Sequence, residues 1–186
     1  MELSKRIVAR LTAALAPACV LPHLLHPHLR LRTALTHGPL DSHLLVLVGN
    51  SRALWPPFLD FVRHELAHSS DGRVQRDPVD RYVKQSVHAC LSELSSRGED
   101  DGLPAPTEVY WVADTAPGKM ILAQKMALAA KQVTHCPPSQ LCLHPRFGPW
   151  LAFRCAIAFK TAGQMVMPAS RQFAVTTSRC TRRSPS

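Results

Sequence analysis

The chain has 186 residues, 46% of them apolar, which is enough for one domain with a buried core. The formal net charge is +9, but the last stretch, SRQFAVTTSRCTRRSPS, is basic with no acid. We therefore expect one domain over 1–159 and a disordered basic tail over 160–186. We expect no nucleic-acid binding, because no basic patch is interleaved with aromatic residues. No apolar run reaches the roughly 18 residues that a membrane span needs.

The first third of the chain predicts a helix, an irregular segment and a strand. Apolar residues at helical spacing predict a helix over 4–15. The segment 16–43 is rich in Pro and His and shows no clear pattern. The apolar run Leu44 to Val48 predicts a buried strand that ends at Gly49-Asn50. Ser51 is placed to cap the helix that follows.

The clearest helical pattern in the chain starts at Asp77, which we predict to be an N-cap. Pro78 suits the first helical position, and Gly98 suits the end of the helix. One face carries the apolar residues Val79, Tyr82, Val83, Val87, Cys90, Leu91 and Leu94. This helix should therefore pack its apolar face against a core.

The remainder of the chain alternates strands with one more helix. Strands are predicted over Glu108 to Ala113, Leu141 to Leu143 and Trp150 to Phe159, and an Ala-rich helix over 118–132. The residues HCPPSQ before Leu141 predict a turn. Mixed helices and strands in this order indicate an α+β or α/β sandwich.

Two groups of residues have a spacing that could suit a metal ion. His64 and His68 lie four residues apart on a predicted helix, a spacing that can chelate zinc. A second set comprises His135, Cys136, Cys142 and His144, and its spacing matches no standard finger. We predict no bound metal. No nucleophile elbow, P-loop or GxGxxG motif is present either.

Three stretches together resemble the cobalamin-processing CblC proteins. They are DPVDRYV (77–83), VAD…KMILAQ (112–124) and LCLHPRFGPWLAFR (141–154). LLVL followed by RALWPPFLDF also fits the early strand and helix of that family. The resemblance covers about 44–159, and HPRFG-x-W-x-A-x-R together with ILAQ is its most specific part.

The resemblance implies a fold and an activity. The fold is an α+β sandwich similar to nitroreductases and flavin reductases. Members of the family are alkylcobalamin dealkylases and cyanocobalamin reductases, and the reductases eliminate cyanide. They bind cobalamin with the lower base detached, remove alkyl groups with glutathione and remove cyanide with reduced FMN or FAD. They pass cobalamin to a second cytosolic trafficking protein, so the implied location is the cytoplasm. A homodimer is compatible with the properties of this family.

The family motifs carry over to particular residues of this chain. The residues that match its cobalamin contacts are Asp114, Ile121, Leu122, Ala123, Gln124, Cys142 and Phe153. Arg154 matches a glutathione contact, and a planar guanidinium suits a carboxylate well. Because the nucleophile comes from the co-substrate and the electrophile from cobalamin, no protein nucleophile is required. No direct metal ligand from the protein is implied.

Each of these assignments has a structural alternative. The 121–124 group could be the core face of an ordinary helix. Arg154 could be a structural arginine that pairs with Asp or Glu in a half-buried strand.

The chain also departs from the family pattern. Between Ala130 and Leu141 it lacks the consecutive tyrosines that pack on the corrin, and after Phe159 the resemblance stops. The chain thus looks like a shortened form. A non-catalytic cobalamin carrier or partner-binding remnant is the main alternative function, and a flavin-dependent reductase of another small molecule is a third. A second arginine beside Arg154 would favour the enzyme.

Overall fold

The computed structural model describes residues 3–18, 20–25 and 43–160, and for 20–25 and 97–101 it describes the backbone alone. The helices are α1 (Leu3–Leu15), α2 (Trp55–His68), α3 (Pro78–Asp101) and α4 (Ala123–Ala129). The strands are β1 (Val20–Leu25), β2 (His43–Ser51), β3 (Pro106–Trp111), β4 (Thr134–Cys136), β5 (Leu141–Leu143) and β6 (Leu151–Lys160). The fold is α+β, as predicted. The expected basic tail lies outside the described residues from 161 onwards.

Four strands form one antiparallel sheet in the order β1-β2-β6-β3, and β4 pairs with β5 in a separate hairpin. The last strand in the chain therefore lies at the centre of the sheet, between β2 and β3. This pairing brings the end of the LCLHPRFGPWLAFR motif next to the end of β2.

The two central strands are buried on both faces, because successive side chains of a strand point to opposite sides. One face belongs to the core cluster that α1, α2 and α3 cover, and it carries Leu44, Val46, Val48, Cys155, Ile157 and Phe159. The other face packs against α4 and the β4–β5 hairpin, and it carries Leu45, Leu47, Ala156 and Ala158. A sheet covered on both sides explains why these strands read as continuous apolar runs.

The predicted helix starts are largely confirmed. α1 agrees with the predicted helix over 4–15. The hydroxyl of Ser51 accepts a hydrogen bond from the Ala53 N–H at 3.2 Å, and so caps a short 3₁₀ turn that leads into α2. The Asp77 carbonyl accepts the bond from the Arg81 N–H at 3.1 Å at the start of α3. Asp77 has a φ of 53°, a left-handed conformation that Asp tolerates better than most residues.

The predicted end of α3 at Gly98 is wrong. The helix continues to Asp101, and Gly102 follows it with a φ of 60°. A glycine in the left-handed conformation just past the last turn is a common helix stop, because it has no Cβ to clash. Gly102 fills that role four residues before the strand region begins at Pro106.

The Ala-rich helix is shorter than the predicted 118–132. Gly118 has a φ of 79°, which no helical residue adopts, and Leu122 is still non-helical at the start of α4. Lys131, with a φ of 57°, lies just beyond its end. The residues Ile121 and Leu122 therefore belong to an irregular segment rather than to a helix face.

Two short strands were not predicted. β1 lies in the Pro- and His-rich segment that showed no pattern, and its Pro22 is compatible with an edge position in the sheet. β4 lies where a turn was predicted, and it forms a hairpin with the predicted strand β5. The predicted strand over Trp150 to Phe159 is confirmed to within one residue at each end.

A two-point ion pair joins α2 to α3. Arg81 donates from Nη1 and Nη2 to the two carboxylate oxygens of Glu65, at 2.7 and 2.5 Å. Both side chains are mostly buried, whereas the Arg63–Asp60 pair on α2 is exposed. Bidentate and poorly solvated pairs are stronger than exposed ones, which are screened by water and salt.

This difference makes a testable prediction about stability. Glu65→Gln should lower the free energy of unfolding by about 1–2 kcal/mol, because it leaves the Arg81 charge without its counter-charge. Asp60→Asn is the matched control and should cost less than about 0.5 kcal/mol. Urea unfolding at pH 7, followed by circular dichroism, measures both. Equal effects of the two changes would contradict the ranking.

Candidate ligand-binding site

A bulge in the central strand determines how the site is built. In the β2–β6 pairing Val48 lies opposite Cys155 and Gly49 opposite Phe153, so Arg154 has no partner on β2. Cys155 belongs to the helix-covered core, and Arg154 also reaches towards α3. In a regular strand two consecutive residues would face opposite sides, and the extra residue of a bulge removes that alternation. The bulge explains how an arginine fits into an apolar strand.

Gly49 allows the two strands to approach at the bulge. A Cβ at Gly49 would lie 2.9 Å from the carbonyl oxygen of Ala152, which is shorter than real Cβ contacts. On the other side of β6, the Val112 N–H donates to the carbonyl oxygen of Arg154 at 2.9 Å. The backbone of the bulged residue is therefore held between β2 and the end of β3.

The Arg154 side chain joins three elements of the fold. Its Nε donates to Oδ1 of Asn50 at 2.6 Å, and its Nη1 donates to Oδ1 of Asp80 at 3.0 Å. Asn50 is buried at the end of β2, and Asp80 lies in the first turn of α3. Arg154 thus pairs with an acidic residue, as expected if it were a structural arginine of a half-buried strand. Its Nη2 carries two further hydrogens, for which the described part of the chain offers no acceptor.

A groove of about 450 Å³ lies next to Arg154, and we call it the Arg154 groove. Its lining comprises Asn50, Ser51, Arg52, Leu54, Trp55, Val79, Pro149, Trp150, Leu151, Ala152 and Arg154. Two arginines and no carboxylate are in this lining. Trp150 is 68% exposed and Trp55 is also largely exposed, so both indoles offer apolar surface to solvent. The sequence reasoning missed Arg52, Trp55 and Trp150 as members of a site.

A second cavity, which we call the Phe153 cleft, has a volume of about 430 Å³. Its lining comprises Val112, Ile121, Leu122, Ala123, Gln124, Lys125, Leu141, Cys142, Pro149, Leu151, Ala152 and Phe153. Six of the seven residues that match the family's cobalamin contacts are therefore brought to one cleft.

Asp114 is the seventh residue, and it does not line the Phe153 cleft. Its carboxylate oxygen accepts a hydrogen bond from the Ala116 N–H at 3.0 Å, and its own N–H donates to the Trp111 carbonyl. Asp114 therefore stabilises the turn that follows β3, two residues beyond the cleft wall at Val112.

The residues 121–124 divide into two pairs. Ile121 and Ala123 are buried in the core cluster beneath the sheet, as the structural alternative expected, but only Ala123 lies in the helix α4. Leu122 is 38% exposed and Gln124 is also exposed, so these two side chains are available at the cleft surface. Burial raises the pKa of the Cys142 thiol, so this residue stays protonated near neutral pH and is a poor nucleophile.

An ion pair attaches the irregular segment before α4 to the edge of the sheet. The Lys119 ammonium binds the Glu108 carboxylate, whose other oxygen accepts the Tyr110 hydroxyl at 2.5 Å. The pKa of Glu108 is lowered mainly by the hydrogen bond from Lys119 and to a smaller extent by the one from Tyr110. The pKa of Tyr110 is raised to about 12, mainly by burial and to a smaller extent by the hydrogen bond to Glu108. These contacts hold the segment that carries Ile121 and Leu122 near β3.

The two cavities are neighbours. Pro149, Leu151 and Ala152 line both of them, so this stretch of the chain separates the Arg154 groove from the Phe153 cleft. Phe153 packs with the core cluster on the α4 side, whereas Arg154 binds α3 on the helix-covered side. A ligand held in one cavity would lie next to a ligand held in the other.

The proposed metal-binding spacings do not form a metal site in the described ranges. Within 3–18 and 43–160, no group of three or more His, Cys, Asp or Glu side chains converges to hold an ion. The His64 and His68 rings stack, with centroids 4.2 Å apart, and Nδ1 of His68 bonds to the His64 carbonyl oxygen. Within the same residues, the helices lack the combination of length and apolar character that a bilayer crossing requires.

Comparison with known proteins gives a match in structure and none in sequence. No family model matches the chain, and no curated protein sequence matches it. Its structure is similar to the crystal structure of the C. elegans B12-trafficking protein CblC, described as a homologue of human MMACHC. The TM-score is 0.69 at 15% identity, and the match covers 95% of this chain and 77% of that one. The chain therefore has a CblC-like fold.

Proposed function

We propose that this chain processes cobalamin. In this proposal it binds cobalamin base-off at the Phe153 cleft and removes the upper axial ligand, by glutathione-dependent dealkylation or by reductive decyanation. The observation that carries the proposal is the convergence of six family-matching residues on one cleft, in a chain with a CblC-like fold.

The chemistry of the cleft suits one face of a broad, largely apolar ligand. Leu122, Leu141 and Val112 are exposed on its lining, and such a group of apolar side chains favours a ligand that removes them from water. The amide of Gln124 would bond to an amide side chain of the corrin. Asp114 would contact the ligand only at the margin of the cleft, since its carboxylate already accepts a backbone bond.

Dealkylation requires a thiolate close to the alkyl carbon on cobalt. In our proposal the free Nη2 of Arg154 binds a carboxylate of glutathione in the Arg154 groove. The shared stretch Pro149–Ala152 then places the thiol beside the Phe153 cleft, and the gain in rate comes from proximity and orientation. The glutathione sulfur takes the alkyl group, and cobalt keeps the electron pair of the broken bond. No protein nucleophile takes part.

The remaining parts of the proposal follow from the same resemblance. They are a nitroreductase-like sandwich, a single domain over 1–159, a cytoplasmic location, a homodimer and a cytosolic trafficking partner that receives cobalamin. For decyanation, reduced FMN or FAD would supply the electrons.

A non-catalytic cobalamin carrier is the second candidate. It is favoured by the two bonds that already occupy Arg154, to Asn50 and Asp80. An arginine that serves only to join β6, β2 and α3 would leave the cobalamin cleft intact and provide no site for glutathione.

The first experiment is a titration of methylcobalamin into the purified chain, followed by absorbance. We expect a shift to the base-off spectrum, and Leu122→Ala should weaken binding about tenfold because it removes apolar contact area. Leu66→Ala is the matched control, since Leu66 is 40% exposed on α2 outside the cleft lining, and its affinity should change less than twofold. Absence of the spectral shift with methylcobalamin and with cyanocobalamin would refute cobalamin binding.

The second experiment adds glutathione to the methylcobalamin complex. Loss of the methyl–cobalt absorbance band should depend on glutathione, and Arg154→Gln should slow it at least about tenfold while the base-off shift remains. Arg63→Gln is the control, because Arg63 is an exposed arginine that binds Asp60 on α2. A base-off shift with no reaction in the unaltered chain would support the carrier and contradict the enzyme.

A further inference from the structure

We propose that Arg52 is a second anion-binding residue of the Arg154 groove, so that this groove holds a small ligand by two of its carboxylates. The identity of the ligand as glutathione rests on the proposed function, whereas the assignment of Arg52 rests on the groove itself. The match to the family motifs assigned no role to this residue.

The charge balance of the groove is the first argument. Its lining contains Arg52 and Arg154 and no acidic residue. Asp80 lies outside the lining and binds Nη1 of Arg154, so it compensates one of the two positive charges. The other positive charge has no counter-charge on the groove wall, and a cavity of this kind attracts anions.

The unused hydrogen-bonding capacity of Arg52 is the second argument. Among the other arginines near the groove and on α2 and α3, Arg63 binds Asp60 and Arg81 binds Glu65. Arg52 is exposed, and its guanidinium has no hydrogen-bond or ion-pair partner in the part of the chain that the structure describes. All five of its N–H donors are therefore available to a ligand.

The position of Arg52 is fixed by its neighbours in the chain. Ser51 on one side caps the 3₁₀ turn through its bond with the Ala53 N–H, and Leu54 on the other side is buried in the core. Asn50, one residue further back, holds Arg154 by the bond to Nε. The stretch Asn50–Arg52 therefore supplies one arginine to the groove and orients the other. A binding group on a well-held backbone loses less entropy when the ligand binds.

The walls of the groove strengthen such contacts. Trp55 follows the 3₁₀ turn, and Trp150 precedes β6, and both present indole surface to the groove. Apolar walls reduce the access of water to the ion pairs between the ligand and the two arginines, which makes each pair stronger than at an open surface. The ligand class that fits is a small molecule with two carboxylates joined by a short chain, as glutathione has.

The test measures glutathione binding to the full chain by calorimetry, with tryptophan fluorescence as a second signal because two of the indoles line the groove. Arg52→Gln should raise the dissociation constant about tenfold, because one charge-assisted hydrogen bond is lost. Arg52→Lys keeps the charge and should stay within about threefold of the unaltered chain. Arg63→Gln, an exposed arginine on α2, should leave the affinity unchanged.

A ligand variant identifies the groups that Arg52 binds. Glutathione diethyl ester lacks both carboxylate charges, so it should bind about a hundredfold more weakly, and Arg52→Gln should weaken it little further. The proposal is overturned if the Arg52→Gln chain binds glutathione as tightly as the unaltered chain does, or if the unaltered chain binds no glutathione. It is also overturned if Arg52→Gln lowers the affinity for the ester as much as it lowers the affinity for glutathione. A base-off shift in the same preparations shows that cobalamin binding survives such a failure, whereas loss of both signals removes the proposed function as well.

Discussion

The close approach of β2 and β6 at Gly49 is the constraint on which the candidate site depends. A side chain at Gly49 would collide with the Ala152 carbonyl, so only glycine allows the bulge at Arg154 to form without displacing the strands. The bulge turns Arg154 towards α3, where Asn50 and Asp80 hold it, and leaves Phe153 on the opposite side. One backbone irregularity therefore places a cation and an aromatic ring, adjacent in sequence, on opposite faces of the sheet.

The two cavities have complementary chemistry. The Phe153 cleft is bordered mainly by apolar residues, together with the Gln124 amide, the Cys142 thiol and Lys125, and the Arg154 groove contains two guanidinium groups and two indoles. They share Pro149, Leu151 and Ala152, so a large apolar ligand and a small acidic one would meet there. This arrangement agrees with a reaction in which both reacting groups are brought by ligands and the protein orients them.

Several of the residues that the family motifs single out combine structural contacts with exposed groups. Ile121 and Ala123 are core residues, yet they position the exposed Leu122 and Gln124 at the cleft. Arg154 joins three elements of the fold and still has Nη2 available. Substitutions at the buried positions would therefore change stability together with binding, whereas exposed residues such as Leu122 and Arg52 separate the two effects.

The sequence by itself determined the α+β class, α1, the core of β2, β5 and β6, because apolar periodicity and capping residues act over a few neighbours. The resemblance of its motifs to the CblC family also grouped six residues that meet at one cleft. Only the tertiary structure decided that β6 lies between β2 and β3, that Arg154 occupies a bulge, and that Arg52 lies on the same groove. These features depend on hydrogen bonds and contacts between residues about 45 to 115 positions apart, and local patterns along the chain carry no information about such pairs.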